Sequence, residues 1–190
     1  MLVIRGVIMK QKRIKEMCVT AVFAALICIA APFSINIGSL VPISLATLAV
    51  YIVAGMLDVK CSVCAVAVYI LLGAVGLPVF SGFSGGVQKL FGVTGGYIIG
   101  YLAVAFIVSL MTCKVKKKYI YPVSMIVGTV VLYLIGTIWF IIQTKTAVGA
   151  ALMSCVVPFI PGDLVKIAIA SVLCINLKPR LENFMSRKQM

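Results

Sequence analysis

Six apolar runs, each divided from the next by a short polar or basic segment, constrain this chain more than any other feature. They lie at about Ile14–Phe33, Val41–Leu57, Cys61–Leu77, Gly95–Cys113, Tyr121–Gln143 and Gly162–Leu177. A helix needs roughly 20 apolar residues to cross the hydrocarbon core of a bilayer. Hydrophobic residues make up 63% of the 190-residue chain and charged residues 11%. A soluble domain of this size needs far more polar surface. The expected fold class is therefore an all-α integral membrane protein with about six transmembrane helices. It forms one membrane domain over residues 1–190, with an N-terminal segment 1–13, a bundle over about 14–178 and a tail 179–190. The apolar stretch Ala147–Val157 is too short to span and reads as a partial or re-entrant piece. Run 1 has a basic flank but no small-residue cleavage site after it, and reads as a retained helix rather than a signal peptide.

Charge sets the orientation. Of the 17 Lys and Arg residues, all but Lys89, Lys145 and Lys166 fall on one side if the spans alternate. By the positive-inside rule that side is the cytoplasm, and an even number of spans puts both termini there. Tyr119, Tyr121 and Trp139 fall near the ends of run 5, at the interface positions aromatic side chains prefer. A net charge of +13 would suggest nucleic acid in a soluble protein. Here the basic residues end apolar runs, so topology explains them.

Several function classes are excluded by what the chain lacks. It has no His, so no Ser–His or Cys–His relay is possible. It contains no GxxxxGK[ST] loop for ATP phosphates. Cys61 and Cys64 form a single CxxC with no second pair, and seven Cys mostly inside apolar runs read as small buried residues. On the outer side Asp163 is the sole acid, which rules out paired-carboxylate catalysis there. The expectation is a protein that is not an enzyme, with a binding or transport role.

Candidate site residues are those whose presence in lipid needs a reason. Asp163 and Lys166 lie at i and i+3, on one helix face, just after Pro161 and Gly162. An ionisable group near the membrane centre costs about 2.5–3.5 kcal/mol on insertion scales. Asp163 suits a helix start, where the dipole is positive, and Lys166 meets the same dipole with like charge. Two readings follow: an anion site at the helix start, or an internal ion pair that lets the helix insert. The second candidate is Pro78–Gly96, with six Gly, one Gln and one Lys. Gly85 and Gly86 permit close backbone approach, Phe80 and Phe83 can pack on a ring, Gln88 offers donor and acceptor, and Lys89 offers a charge. Gly92, Gly96 and Gly100 form a ridge for close helix packing, by default inside the chain. Ala21 and Ala25 form a smaller pair on run 1.

Two segments together carry a resemblance. Gly76-Leu77-Pro78-Val79-Phe80-Ser81-Gly82, continuing to Gly85-Gly86 and to Gly92-Val93-Thr94-Gly95-Gly96-Tyr97, is one. Pro158-Phe159-Ile160-Pro161-Gly162-Asp163-Leu164-Val165-Lys166 is the other. The chain resembles the BioY family, the biotin-binding S components of energy-coupling factor (ECF) transporters, over about residues 15–178. The resemblance implies a six-helix S-component fold in a bacterial cell membrane. It implies a biotin site near the outer face, built from the run 3–4 loop and the start of run 6. Its implied partners are biotin, a transmembrane coupling subunit met through Ala21 and Ala25, and two cytoplasmic ATPases, with no cofactor of its own. Lys166 or Lys89 is then expected to hold the biotin carboxylate. Asp163 accepts ureido N–H groups or orients Lys166, and Phe80 and Phe83 cover the ring. Two positions depart from the family pattern: Val93 stands where Pro is usual, and Ala46 where many members carry Gln. A different carboxylated vitamin, or a membrane scaffold without transport, are the alternatives.

Overall fold

A computed structural model of the protein describes residues 2–35, 42–115 and 117–186. Expectations that involve Asn36, Gly38, Val41 and Lys116 therefore lie outside the described residues. Eight α-helices appear among those that are described: α1 (Leu2–Ala30), α2 (Ala46–Met56), α3 (Val59–Val75), α4 (Val87–Phe91), α5 (Gly95–Lys114), α6 (Ile120–Thr144), α7 (Val148–Cys155) and α8 (Ile160–Ser186). Six are long and match the six apolar runs; α4 and α7 are short and lie between them. In lipid each backbone N–H and C=O needs an internal partner, and a helix supplies it from the same segment.

Among the described residues, three stretches are long and apolar enough to cross a membrane: Gly95–Lys114, Ile120–Thr144 and the Val148–Met185 run that contains α7 and α8. Ala46–Met56 and Val59–Val75 are shorter apolar helices. On α6 the outward face is a stripe of exposed Val130, Leu134, Ile138 and Ile142, the surface a helix turns to lipid. Lys15 Nζ donates to Met185 O at 3.3 Å, so the start of α1 and the end of α8 meet at one end of the bundle.

Packing follows the small residues. Gly96 and Gly100 of α5 lie against Trp139 and Leu132 of α6, and Trp139 Nε1 donates to Gly92 O at 2.9 Å. The glycine ridge thus packs within the chain. Helix α2 is the centre: Ala46, Thr47, Ala49, Val50, Tyr51, Val53, Ala54 and Gly55 are all buried, between α5 and α8.

The second apolar run differs from its expected form. The helix begins at Ala46, not Val41. Ile43–Ser44 is extended instead and pairs antiparallel with Ser34–Ile35, Ser34 opposite Ser44. Pro42 disfavours helix at the residue before it, and the pairing holds the segment until Ser44 Oγ accepts from Ala46 N at 3.0 Å. Eleven helical residues rise only about 16 Å, roughly half the hydrocarbon thickness. The sixth run is longer than expected: α8 passes through Pro179 to Ser186, so the C-terminal tail is helical along its described part. Run 1 begins earlier, at Leu2, and ends at Ala30.

Candidate functional site

Helix α3 ends at Gly76, whose φ of +113° closes the helix in the left-handed region. The chain then turns back on itself. Phe80 N donates to Ser84 O at 2.9 Å, Gly82 N to Pro32 O at 3.0 Å and Gly86 N to Gly73 O at 2.7 Å. These bonds fasten the Gly-rich loop to α3 and to the end of α1. Phe80 is driven inward, 1% exposed, with its ring edge-on to Tyr69 at 5.5 Å. Gly73 makes room for it, because a Cβ there would overlap the Phe80 ring. A Cβ at Gly85 would collide with the Leu77 and Gly76 carbonyls, so the loop's return is as close as its backbone permits.

This loop roofs a small cavity of about 50 Å³, part of it open to the outside. Ser44 and Thr47 reach it from the start of α2, Tyr69 from α3, Tyr97 and Tyr101 from α5, and Tyr133 from α6. Asp163 and Lys166 reach it from α8, and Phe80, Ser81, Ser84 and Lys89 from the loop and α4.

The charged pair is buried in the wall and hydrogen-bonded there. Asp163 is 4% exposed and Lys166 7%. Lys166 Nζ donates to Asp163 Oδ1 at 3.0 Å, to Ser44 O at 2.8 Å and to Thr47 Oγ1 at 2.9 Å. An ammonium has three protons, and all three are used. Asp163 Oδ2 accepts from Tyr133 Oη at 2.6 Å. A carboxylate offers about four acceptor positions, so Asp163 keeps capacity that Lys166 lacks. Of the two open readings of the pair, the internal one describes its bonding, while its position still puts it on the cavity wall. Lys89 is the opposite case. It is half-buried and lines the cavity, and its ammonium has no hydrogen bond or ion pair among the described residues.

Six of the expected residues meet here or shape the loop: Asp163, Lys166, Lys89, Phe80, Gly85 and Gly86, the last at φ +96°. Two point elsewhere. Phe83 is 62% exposed, at φ +54°, with its ring 5.5 Å from Phe33. Gln88 is exposed on α4, off the cavity wall. Sequence reasoning did not single out the tyrosines. Their signal was available: a phenol inside an apolar helix must find a partner or a wet cavity. Tyr97 Oη donates to Cys155 O at 3.1 Å, tying α5 to α7, and Tyr51 shares a hydrogen bond with Thr129 at 2.5 Å. Ala21 and Ala25 are exposed on α1; Ala21 borders an apolar groove between α1 and α3, with Met17, Cys64 and Val68.

Comparison with known proteins places this arrangement. The BioY family model matches residues 8–183. The biotin transporter BioY of Thermotoga maritima is 35% identical over 167 residues, covering 86% of this chain and 96% of that one. The probable biotin transporter BioY of Pyrococcus horikoshii is 36% identical, again covering 86% of this chain and 96% of that one. Among solved structures, the S-component for biotin from an ECF-type ABC transporter superposes with a TM-score of 0.81 at 27% identity, covering 89% of this chain and 93% of that one. By the extent of the family match and the identity to these relatives, the chain belongs to the BioY family.

Proposed function

We propose that this chain is the substrate-binding membrane subunit of an ECF transporter, a single membrane domain that captures biotin at the outer face for ATP-driven uptake. The observation that carries the reading is the outer cavity, with a spare carboxylate acceptor at Asp163 and an uncommitted ammonium at Lys89. Biotin has a ureido group with two N–H donors, an apolar thioether ring and a carboxylate tail. Asp163 accepts the ureido N–H groups. Phe80, Tyr69 and Tyr97 cover the ring. Lys89 holds the carboxylate, since Lys166 has no proton left to donate. Lys166 acts instead as a positioning residue that keeps Asp163 charged and the start of α2 in place. Gln88, Gly85 and Gly86 shape the loop above, and Phe83 closes over the ring only if the loop turns inward on binding.

The basic end of the bundle faces the cytoplasm, which sets the protein in the bacterial plasma membrane. A transmembrane coupling subunit docks along α1 at Ala21 and Ala25, where the groove beside α3 lies open. Two cytoplasmic ATPases supply the energy. The family's members are transport proteins, and this chain is a transport subunit rather than an enzyme.

Calorimetry on the detergent-purified chain tests the reading. Biotin should bind saturably at one site. Lys89→Ala should weaken biotin about 10- to 100-fold, the loss of a charge-assisted contact worth about 1.5–3 kcal/mol. The same substitution should leave biotin methyl ester nearly unaffected. A folded chain that binds no biotin refutes the function. Equal losses for acid and ester refute the role of Lys89 alone, and a different vitamin carried through purification, seen by mass spectrometry, moves the assignment to that ligand.

A further inference from the structure

In the outer cavity Asp163 and Lys166 are closed on one another; four charged side chains in a cleft at the opposite end of the bundle are not. A cleft of about 420 Å³, open to the surroundings, lies there between the start of α3, the end of α5, the start of α6 and the end of α8. Two cations and two anions line it: Lys118 and Lys178, Asp58 and Glu182. None of these forms an ion pair within 4.0 Å among the described residues, where the pair Lys166–Asp163 does. Asp58 has a long thiol contact, Cys113 Sγ to Oδ1 at 3.7 Å. Lys178 lies 5.7 Å over the Tyr121 ring. Deeper in the cleft, Thr112 is 4% exposed and Ile175 half-buried.

The cleft lies where the apolar helices give way to charged ends, the level at which a bilayer's headgroups are expected. Helix α5 ends at Lys114 and α6 begins at Ile120, and just inward of the cleft the exposed side chains are apolar, Val123 and Leu177 among them. Like-signed charges alone would suit any anionic lipid. Here both signs line one cleft unpaired, and a single ligand with an anion and a cation a few bonds apart satisfies both. A phosphate suits the ammonium groups of Lys118 and Lys178, and a primary ammonium, with its three N–H donors, suits the carboxylates of Asp58 and Glu182.

We propose that this cleft is a headgroup site for an aminophospholipid of the phosphatidylethanolamine class. A choline headgroup carries no N–H to donate, and a glycerol headgroup carries no cation, so both are discriminated against.

The test is native mass spectrometry of the delipidated full chain in detergent, with phosphatidylethanolamine, phosphatidylcholine and phosphatidylglycerol of identical acyl chains offered at equal concentration. A single ethanolamine-lipid adduct should persist at least about fivefold more than either of the others. Lys118→Ala and Glu182→Gln, both at exposed positions, should each reduce it to the choline-lipid level while the protein elutes as the same monodisperse peak. Equal retention of all three lipids means an annular shell and overturns the proposal. Preference for the glycerol lipid assigns the cleft to the general basic belt and also overturns it. Free phosphoethanolamine binding as tightly as the lipid removes the lipid as the ligand. No adduct with any of the three lipids also overturns it.

Discussion

Lys166→Met should lower the melting temperature of the detergent-solubilised chain steeply and abolish measurable biotin binding. The substitution keeps an unbranched side chain, one atom shorter, and removes the charge. It strands Asp163, 4% exposed, without its counterion, and leaves Ser44 O and Thr47 Oγ1 without their donor. Breaking a buried pair from one side typically costs about 3–5 kcal/mol, a large share of a total stability of about 5–15 kcal/mol. Asp163→Asn combined with Lys166→Met removes both charges and should recover at least about 2 kcal/mol relative to the sum of the single losses. Binding should not recover, because the amide at position 163 leaves one neutral acceptor oxygen where the carboxylate has two charged ones. If the losses simply add, the pair is not coupled. If Lys166→Met binds biotin as the parent does, Lys166 does not organise the site.

Gly73→Ala should have the next largest effect, through a residue that touches no ligand. A Cβ at position 73 would overlap the Phe80 ring. The ring is held between α3 and the returned loop, where Phe80 and Ser84 exchange backbone bonds at 2.9 and 3.3 Å. It cannot move without opening the roof of the cavity. Overpacking of this kind usually costs about 1–3 kcal/mol, and the displaced roof should weaken biotin at least tenfold. Pairing Gly73→Ala with Phe80→Leu gives back space and should restore the melting temperature while leaving affinity low. Restored affinity in the pair would make Phe80 dispensable as a cover. An unchanged melting temperature in Gly73→Ala would mean that α3 and the loop are less tightly joined than their hydrogen bonds indicate.

The helices were legible because lipid demands them: long apolar runs with basic ends leave few other solutions. The second run was misjudged at its start because composition does not report strand pairing, and the contact of Ile43–Ser44 with Ser34–Ile35 is decided by a turn in the chain. Asp163 and Lys166 stood out as charges in lipid. Their bonding could not be read, since the partners Ser44 and Thr47 are more than a hundred residues away and look ordinary in sequence. Phe80 and Phe83 appear equivalent in the loop, three positions apart. The turn buries one ring and exposes the other, a difference set by backbone angles at Gly82 and Phe83. Tyr133, which holds Asp163 at 2.6 Å, was passed over because a tyrosine in an apolar run is easily taken as packing.

The three bonds of Lys166 also carry a consequence for how the protein is made. Ser44 and Thr47 leave the ribosome more than a hundred residues before Lys166 does. Until α8 arrives, Ser44 O and Thr47 Oγ1 have only their own mutual bond, and the Tyr133 hydroxyl lacks the Asp163 carboxylate. The last helix therefore finishes the outer half of the protein. A chain stopped after α7 would hold most of the cavity-lining side chains and still present an unfinished, quality-control-sensitive surface, so degradation of truncated products should be abrupt at α8 rather than gradual along the chain.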